Sequence, residues 1–391
     1  MTPSLASLPV SATKLVRRGL HLCVQKIRRN ISELNDKPTT WAIGLDGDYT
    51  KWNEGFFEIG NWTTSFFTGM SLLAWEDTED EHFIREVERL LPLYQQKLEG
   101  ENAANTMHDL GFLYSLYSVA LHKLTGEAHH RDLGIRAAEA LADRFIPEGN
   151  YIRAWGRMDE DSTDNAGLAI IDCMMNLPLL FWAANETGDP KYRDIAIRHS
   201  DTTLRNFIRE DDSVFHSYRF DPMTGEPSHG DNYCGRGVDT HWARGTTWAM
   251  YGFALAYRHT GDERYLDASI RVTRKFISLL DDEVVPVWDF RLNEGEPLLR
   301  DSSAAAVAAC AIQELQALGK ADASMLGAKD ELLARLCSAD YLDTDMNCRG
   351  VLKFSEVGDG VGNARSAYTS WGDYYFMEAL ARELGLPVSW W

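Results

Sequence analysis

The sequence has no pair of cysteines spaced C-x-x-C and no cysteine–histidine cluster at the spacing of a zinc site, which excludes the common structural zinc modules. Its six cysteines, Cys23, Cys173, Cys234, Cys310, Cys337 and Cys348, are scattered. Cys173 and Cys310 fall in apolar helical runs and read as buried thiols, a pattern that fits a reducing compartment. No apolar run is long enough to span a bilayer. Residues 1–12 lack the charged-then-apolar order of a signal peptide, and residues 13–31 are basic and amphipathic (Lys14, Arg17, Arg18, Lys26, Arg28, Arg29). The expectation is a cytoplasmic protein with residues 1–12 as a flexible tail. Positive charge is also scarce. A formal net charge of −20 argues against nucleic acid and against an anionic membrane surface as partners. There is no G-x-S-x-G elbow, no P-loop and no G-x-G-x-x-G entering a helix after a strand; Gly235-Arg236-Gly237 lacks both the third glycine and the strand. No linker or low-complexity tract divides the 391 residues, so the chain reads as one domain, 1–391.

What is present is helix and aromatic surface. Apolar residues make up 45% of the chain, with 12 Trp, 15 Tyr and 16 Phe, enough for a large core and for apolar platforms of the kind that hold sugars. Helical periodicity predicts twelve helices near 11–34, 62–76, 80–97, 109–125, 129–144, 165–187, 190–207, 240–260, 262–280, 301–318, 325–340 and 367–385. Strand-like pieces are short, near 151–155, 213–220 and 284–290. A weak repeat pairs the helices: Thr125-Gly126-Glu127, Thr187-Gly188-Asp189 and Thr260-Gly261-Asp262 each follow an apolar helix and precede a more polar one. The glycine ends one helix in a left-handed position and the acid caps the next, which makes each unit a tight helical hairpin. Trp75-Glu-Asp-Thr-Glu-Asp80 is a degenerate copy without the glycine. Apolar inner helices alternating with polar outer ones predict an all-α fold, an (α/α)6 barrel with short β pieces in its rim loops. The inner helices then run parallel. The long loops, 35–61, 98–108, 145–164, 208–239, 281–300 and 341–366, all lead into inner helices and so gather on one rim, where sites usually sit.

One stretch stands out, Asn165 to Ala184, almost wholly apolar with Asp172 in its middle. Read as a single buried helix, it forces Asp172 to be paired, hydrogen-bonded or protonated. A structural acid and a proton-transfer acid with a raised pKa both satisfy that demand. Other unusual residues collect at the same rim: Asn61-Trp62, His108-Asp109, Trp155-Gly156, His216, Trp242 to Trp248, Trp288-Asp289, Arg300-Asp301, Tyr368 and Trp371-Gly372-Asp373. Asp109, Asp301 and Asp373 each also fit the bland role of a helix N-cap. Paired carboxylates with histidines, an arginine and several tryptophans in one mouth suit sugar chemistry.

Six motifs give the chain a resemblance to the unsaturated glucuronyl hydrolases of glycoside hydrolase family 88: H-D-L-G-F-L-Y-S (108–115), A-W-G (154–156), I-I-D-C-M-M-N-L-P-L-L-F-W-A (170–183), W-A-R-G (242–245), R-D-S-S-A-A-A (300–306) and W-G-D-Y-Y (371–375). The resemblance runs from about Asp48 to Tyr375. It implies an (α/α)6 barrel and a glycosidase of polysaccharide degradation. Such an enzyme takes a 4,5-unsaturated uronic acid off the non-reducing end of lyase-generated oligosaccharides by hydrating its vinyl ether. It implies Asp172 as general acid/base and Asp109 as the second essential acid. The substrate-binding set is Trp62, His108, His216, Cys234, Arg244, Trp248, Tyr368 and Trp371, with no metal and no cofactor. Two departures stand out: Tyr233-Cys234-Gly235 replaces His-Gln-Gly, and Thr246 replaces Gln in W-x-R-G-Q-A-W. An acid that protonates an enol ether carbon must keep its proton near neutral pH; the apolar helix around Asp172, with Asp109 nearby, is expected to supply the shift. The partner is an unsaturated oligosaccharide, and monomer and dimer both stay open. The related unsaturated rhamnogalacturonyl hydrolases are the alternative, with sugar epimerases and a non-catalytic sugar-binding barrel further off.

Overall fold

The Thr-Gly turns are built by their own side chains. Thr125, Thr187 and Thr260 each donate a hydroxyl hydrogen to the carbonyl four residues back and accept from the amide two residues ahead. Gly126, Gly188 and Gly261 hold φ of 75°, 73° and 72°, the left-handed region that penalises a Cβ. Asp189 and Asp262 then cap the next helix by accepting from the Lys191 and Arg264 amides. The degenerate copy does the same without glycine: Thr78 makes the same two bonds, Glu79 takes φ 55°, and Asp80 caps through the His82 amide.

The computed structural model describes residues 10–34, 43–44, 55–160, 164–358, 366–388 and 390–391. The start of the resemblance at Asp48 and the first nine residues of the expected tail lie outside the described residues. In chain order the helices are α1 (Val10–Leu34), α2 (Thr64–Thr78), α3 (Glu81–Glu88), α4 (Leu91–Lys97), α5 (Gly100–Ala104), α6 (Leu110–Tyr114), α7 (Ala120–Thr125), α8 (Ala128–Ala142), α9 (Leu177–Thr187), α10 (Pro190–Asn206), α11 (Ala243–Thr260), α12 (Glu263–Ser278), α13 (Ser302–Ala317), α14 (Ala323–Leu336) and α15 (Ser370–Glu383). A π-helical turn, Ser115–Val119, joins α6 to α7, and a 3-10 turn, Ile171–Met175, precedes α9.

Helices α2, α6–α7, α9, α11, α13 and α15 pack side by side as the inner ring. Their partners α3–α4, α8, α10, α12 and α14 lie outside. Helix α1 packs against α2 and α15 and closes the outer ring between α14 and α3, completing the (α/α)6 barrel. The two rings differ in sequence for a packing reason. Inner α13 is buried at every position from Ser302 to Leu315 and is rich in alanine, which lets neighbouring helices approach closely. Outer α12 buries only Tyr265, Leu266, Ala268, Ser269, Val272, Thr273 and Phe276, a single stripe.

The rim carries the strands: β1 (Ile43–Gly44), β2 (Phe145–Ile146), β3 (Tyr151–Ile152), β4 (Leu168–Ile170), β5 (Ser217–Phe220), β6 (Pro227–Asp231) and β7 (Tyr368–Thr369). Strands β4, β5 and β6 form an antiparallel sheet in that order. The helix expected over 165–187 is therefore wrong in its first half. Leu168–Ile170 pairs with Ser217–Arg219, and a Cβ on Gly167 would fall 1.9 Å from the Phe220 carbonyl oxygen. The helix starts at Leu177, where Pro178 occupies an early position that needs no amide donor. That proline was a visible stop signal inside the run. The strand expected over 284–290 reduces to two isolated bridges, Trp242 to Asp289 and Val287 to Arg300. The helix expected over 80–97 breaks ahead of Pro92 into α3 and α4.

The turn geometry makes a stability prediction. Glu79→Gly relieves a left-handed residue and should stabilise the protein by about 1 kcal/mol. Gly188→Ala should cost about as much, because the added methyl meets nothing within 4 Å and the penalty is purely backbone. Opposite shifts of about a degree or two in melting temperature check this.

Candidate active site

A pocket of about 290 Å³ opens at the N-terminal ends of the inner helices. Among the residues lining it are Trp62, His108, Asp109, Trp155, Asp172, His216, Tyr233, Cys234, Trp242, Arg244 and Trp371. Trp62, Asp109, Asp172, Arg244 and Trp371, expected around one pocket, are brought together there.

The three acids that each fit an N-cap part company. Asp301 does cap: its carboxylate accepts from the amides of Ser303 and Ala304. Asp373 accepts from the amides of Val351 and Leu352 and so pins a loop. Asp109 stands at the start of α6 but its side chain caps no amide. It lies at the pocket wall, 3.5 Å from His108 Nε2, and is buried.

Its electrostatics follow from its neighbours. Burial, and then the negative charge of Asp172, push the Asp109 carboxyl from 3.8 up to about 8, against the opposing pull of Arg144 and Lys97. His108 is driven down to about 3 by burial and stays neutral. The Cys234 thiol is pushed up to about 12, mainly by burial, so it is a thiol and not a nucleophile.

Asp172 is not on a helix. It follows strand β4 in the 3-10 turn, and the Ile171 amide donates to the His216 carbonyl at 2.9 Å. That extension of the β4–β5 ladder sets His216 beside Asp172, with Nε2 and Oδ2 3.6 Å apart. The Cys234 amide donates to His216 Nδ1 at 3.2 Å, which leaves the ring hydrogen on Nε2, facing Asp172. Asp172 Oδ2 is buried with no hydrogen-bond partner. The setting expected for Asp172, deep in an apolar helix, is corrected: Asp109 is the more buried acid of the two, with 10% of its side chain exposed against 16% for Asp172.

Arg244 is held by Asp301 at 2.9 Å and by the carbonyls of Glu356 and Val357, both at 2.6 Å. Its guanidinium lies 4.6 Å from the Trp242 ring and 5.3 Å from the Trp371 ring. Trp371 in turn packs against Trp62 with ring centres 4.8 Å apart. These groups form one aromatic wall around a neutralised cation.

Two residues of the expected binding set are elsewhere. Trp248 is fully buried beneath the floor against Phe112 and Tyr375, and does not line the pocket. Tyr368 donates its hydroxyl to Asp343 and lies over Gly350, outside the pocket lining. Three residues went unremarked in the sequence. Buried Arg144 donates to the carbonyls of Thr106, Arg153, Ala154 and Gly156 and ties two rim loops together. Lys97, lowered to about 8 chiefly by burial, donates to the Phe56 carbonyl and borders a small cavity behind Asp109. Asn176 joins the two acid-bearing segments. For Arg144 and Lys97 the sequence carries no signal, since each reads as an ordinary basic residue near a helix end. Asn176 lies inside the 170–183 motif, four residues after Asp172 and two before Pro178, which was the available hint.

A family model described as Glycosyl Hydrolase Family 88 matches residues 28–291. An unsaturated glucuronyl hydrolase of Bacillus sp. (strain GL1) is 34% identical over 336 residues, covering 84% of this chain and 88% of its own. An unsaturated chondroitin disaccharide hydrolase of Streptococcus pneumoniae (strain ATCC BAA-255 / R6) is 38% identical over 333 residues, covering 82% of this chain and 81% of its own. The crystal structure of the unsaturated glucuronyl hydrolase from Bacillus sp. GL1, responsible for degradation of glycosaminoglycan, superposes with a TM-score of 0.87 at 31% identity, covering 96% of this chain and 99% of that one.

The raised Asp109 carboxyl makes folding pH-dependent. The folded protein keeps a proton that the unfolded chain releases between about pH 4 and about pH 8, so wild-type stability falls as pH rises through that window. Asp109→Asn has no such loss. The variant should melt above wild type, and the gap should be wider at about pH 9 than at about pH 5. Thermal unfolding at the two pH values decides it: a constant gap means that Asp109 does not hold the proton.

Proposed function

The chain belongs to Glycosyl Hydrolase Family 88, and from that footing we propose that it acts as one catalytic domain releasing a 4,5-unsaturated uronic acid from the non-reducing end of lyase-generated oligosaccharides, of the glycosaminoglycan type, by hydrating the vinyl ether. The observation that carries this reading is the pair Asp109 and Asp172, two carboxyl groups facing one apolar mouth, with burial and mutual repulsion keeping a proton in the site near neutral pH. The relatives' names, an unsaturated glucuronyl hydrolase and an unsaturated chondroitin disaccharide hydrolase, support the substrate class.

In the proposed reaction the single proton that the pair holds is delivered to C4 through Asp172, which leaves both carboxyls charged for the moment, and positive charge develops at C5 and the ring oxygen. Water adds at C5 and returns a proton to the Asp172 carboxylate, so the acid is regenerated. The resulting hemiketal opens to a ketone, the ring oxygen leaves C5, and C1 becomes a hemiacetal that releases the next sugar. One water is consumed and no other reactant is needed. Asp172 suits the role because its Oδ2 is unpartnered at the pocket wall, with the His216 Nε2 hydrogen directed at it. Asp109, facing the same mouth, is placed to contact a ring hydroxyl. Trp62 and Trp371 present an apolar face to the sugar ring, and Arg244 holds that wall in place. The binding roles of His108 and Cys234 rest on their place in the lining.

The test is a panel of unsaturated disaccharides from chondroitin, hyaluronan and rhamnogalacturonan, followed by loss of the double-bond absorbance. Activity confined to the rhamnogalacturonan product would shift the substrate class. Asp172→Asn should fold and bind while turnover drops at least 10²–10⁴-fold, roughly the contribution of general acid–base catalysis. Product formed in deuterated water should carry deuterium at C4. Wild-type turnover should decline as pH rises through about 8, where the pair gives up its proton. Near wild-type turnover by folded Asp172→Asn, or a product without deuterium at C4, rejects the mechanism.

A further inference from the structure

The two acids sit on segments that are far apart in sequence, one opening α6 and the other in the 3-10 turn before α9. A single buried side chain connects them. Asn176 Nδ2 donates to the Asp172 carbonyl at 3.1 Å, and Asn176 Oδ1 accepts from the Phe112 amide at 2.7 Å. The Phe112 amide is one of the free donors at the start of α6, three residues beyond Asp109, so the bond ties the asparagine to the foot of that acid. The two segments also touch through backbone. A Cβ on Gly111 would lie 2.3 Å from Asn176 Cα. On its other side the turn is pressed against α11, where a Cβ on Gly252 would lie 2.4 Å from Met174 Cβ. The turn is thus seated between two glycines and laced to α6 by one amide group that uses both its donor and its acceptor.

We propose that Asn176 is a positioning residue for the reaction, setting the spacing of Asp172 from Asp109 without touching substrate. The inference rests on the reading of those two acids as the reacting pair. Its consequence is chemical as well as mechanical. Asp109 is faced by Asp172 and Cys173 from the turn, by Lys97 from α4, by Arg144 beyond α8 and by His108 from its own segment. Of these groups, Asp172 and Cys173 are the ones carried by the turn that Asn176 ties to α6. A looser turn carries the Asp172 charge away from Asp109 and admits water, and both changes weaken the proton's hold.

The experiment compares kcat, KM and the pH profile of kcat for the wild type and four variants on the best disaccharide of the panel. Asn176→Ala should lose about 10–100-fold in kcat, the scale of a roughly 1 Å misplacement of a catalytic group. KM should stay within about twofold, and the alkaline limb should move to lower pH. Asn176→Ser, a milder change, covers the case in which the alanine variant does not fold, and should shift in the same sense. Gly111→Ala removes no polar group but forces the same segments apart, and should reproduce the kcat loss and the limb shift. Gly188→Ala, remote from the pocket, is the control for lost stability and should leave both unchanged. Folded Asn176 variants with wild-type kcat and an unmoved limb would overturn the proposal, as would a defect confined to KM or one shared by Gly188→Ala. Failure of the wild type to hydrate any disaccharide would instead overturn the reading of the reacting pair.

Discussion

Two carboxyl groups cannot both stay charged at low cost in one apolar mouth, and much of the rim is arranged around that repulsion. Asp109 is the acid that yields, keeping its proton well above the usual carboxylate range because it is buried and because Asp172 faces it. The surrounding cations moderate the effect without abolishing it. Arg144 spends its donors on four backbone carbonyls and Lys97 donates to a fifth, so neither forms an ion pair with Asp109. They act through space, while the cation in the pocket lining, Arg244, is paired with Asp301. A direct ion pair at Asp109 would favour its charged form and remove the proton.

The same rim shows how a barrel of parallel inner helices accommodates a site that helices alone cannot present. Four of the inner helices, α2, α6, α11 and α15, bring residues to the pocket at or near their first turns, and α13 supports it from behind through Asp301. The remaining one, α9, starts late, and the chain ahead of it runs as a strand and a tight turn. That exchange puts Asp172 at the end of a β-ladder, where its neighbour is chosen by register. Ile170 pairs with Ser217, and the next hydrogen bond joins Ile171 to His216. A shift of one residue would point the His216 side chain away.

The hairpins needed only local information. Thr, Gly and an acid in sequence are enough to end one helix and begin another, and the copy at Thr78 to Asp80 keeps the geometry even where glutamate must take a left-handed conformation. Alternation of apolar and mixed helices then left few arrangements other than a closed double ring. This is why the barrel, and the gathering of long loops on one rim, were legible from periodicity alone. Asp172 stood out for a related reason, as an acid inside an apolar run, whereas Asp109 shared the look of an N-cap with Asp301 and Asp373 and was marked only by the family resemblance.

What the sequence by itself determined, then, is the helical repeat and the rim on which unusual residues meet, Asp109 and Asp172 among them. Tertiary structure alone decided which acid is the more buried, since burial depends on what other segments cover and not on the hydrophobicity of the acid's own run. It decided that Trp248 supports the floor while Trp242 reaches the pocket, because two tryptophans six residues apart differ in function only through what packs on them. It placed Tyr368 outside the lining. And it gave Arg144, Lys97 and Asn176 their places beside the acids through bonds to backbone atoms far along the chain, contacts that depend on three-dimensional proximity and leave no pattern in residue order.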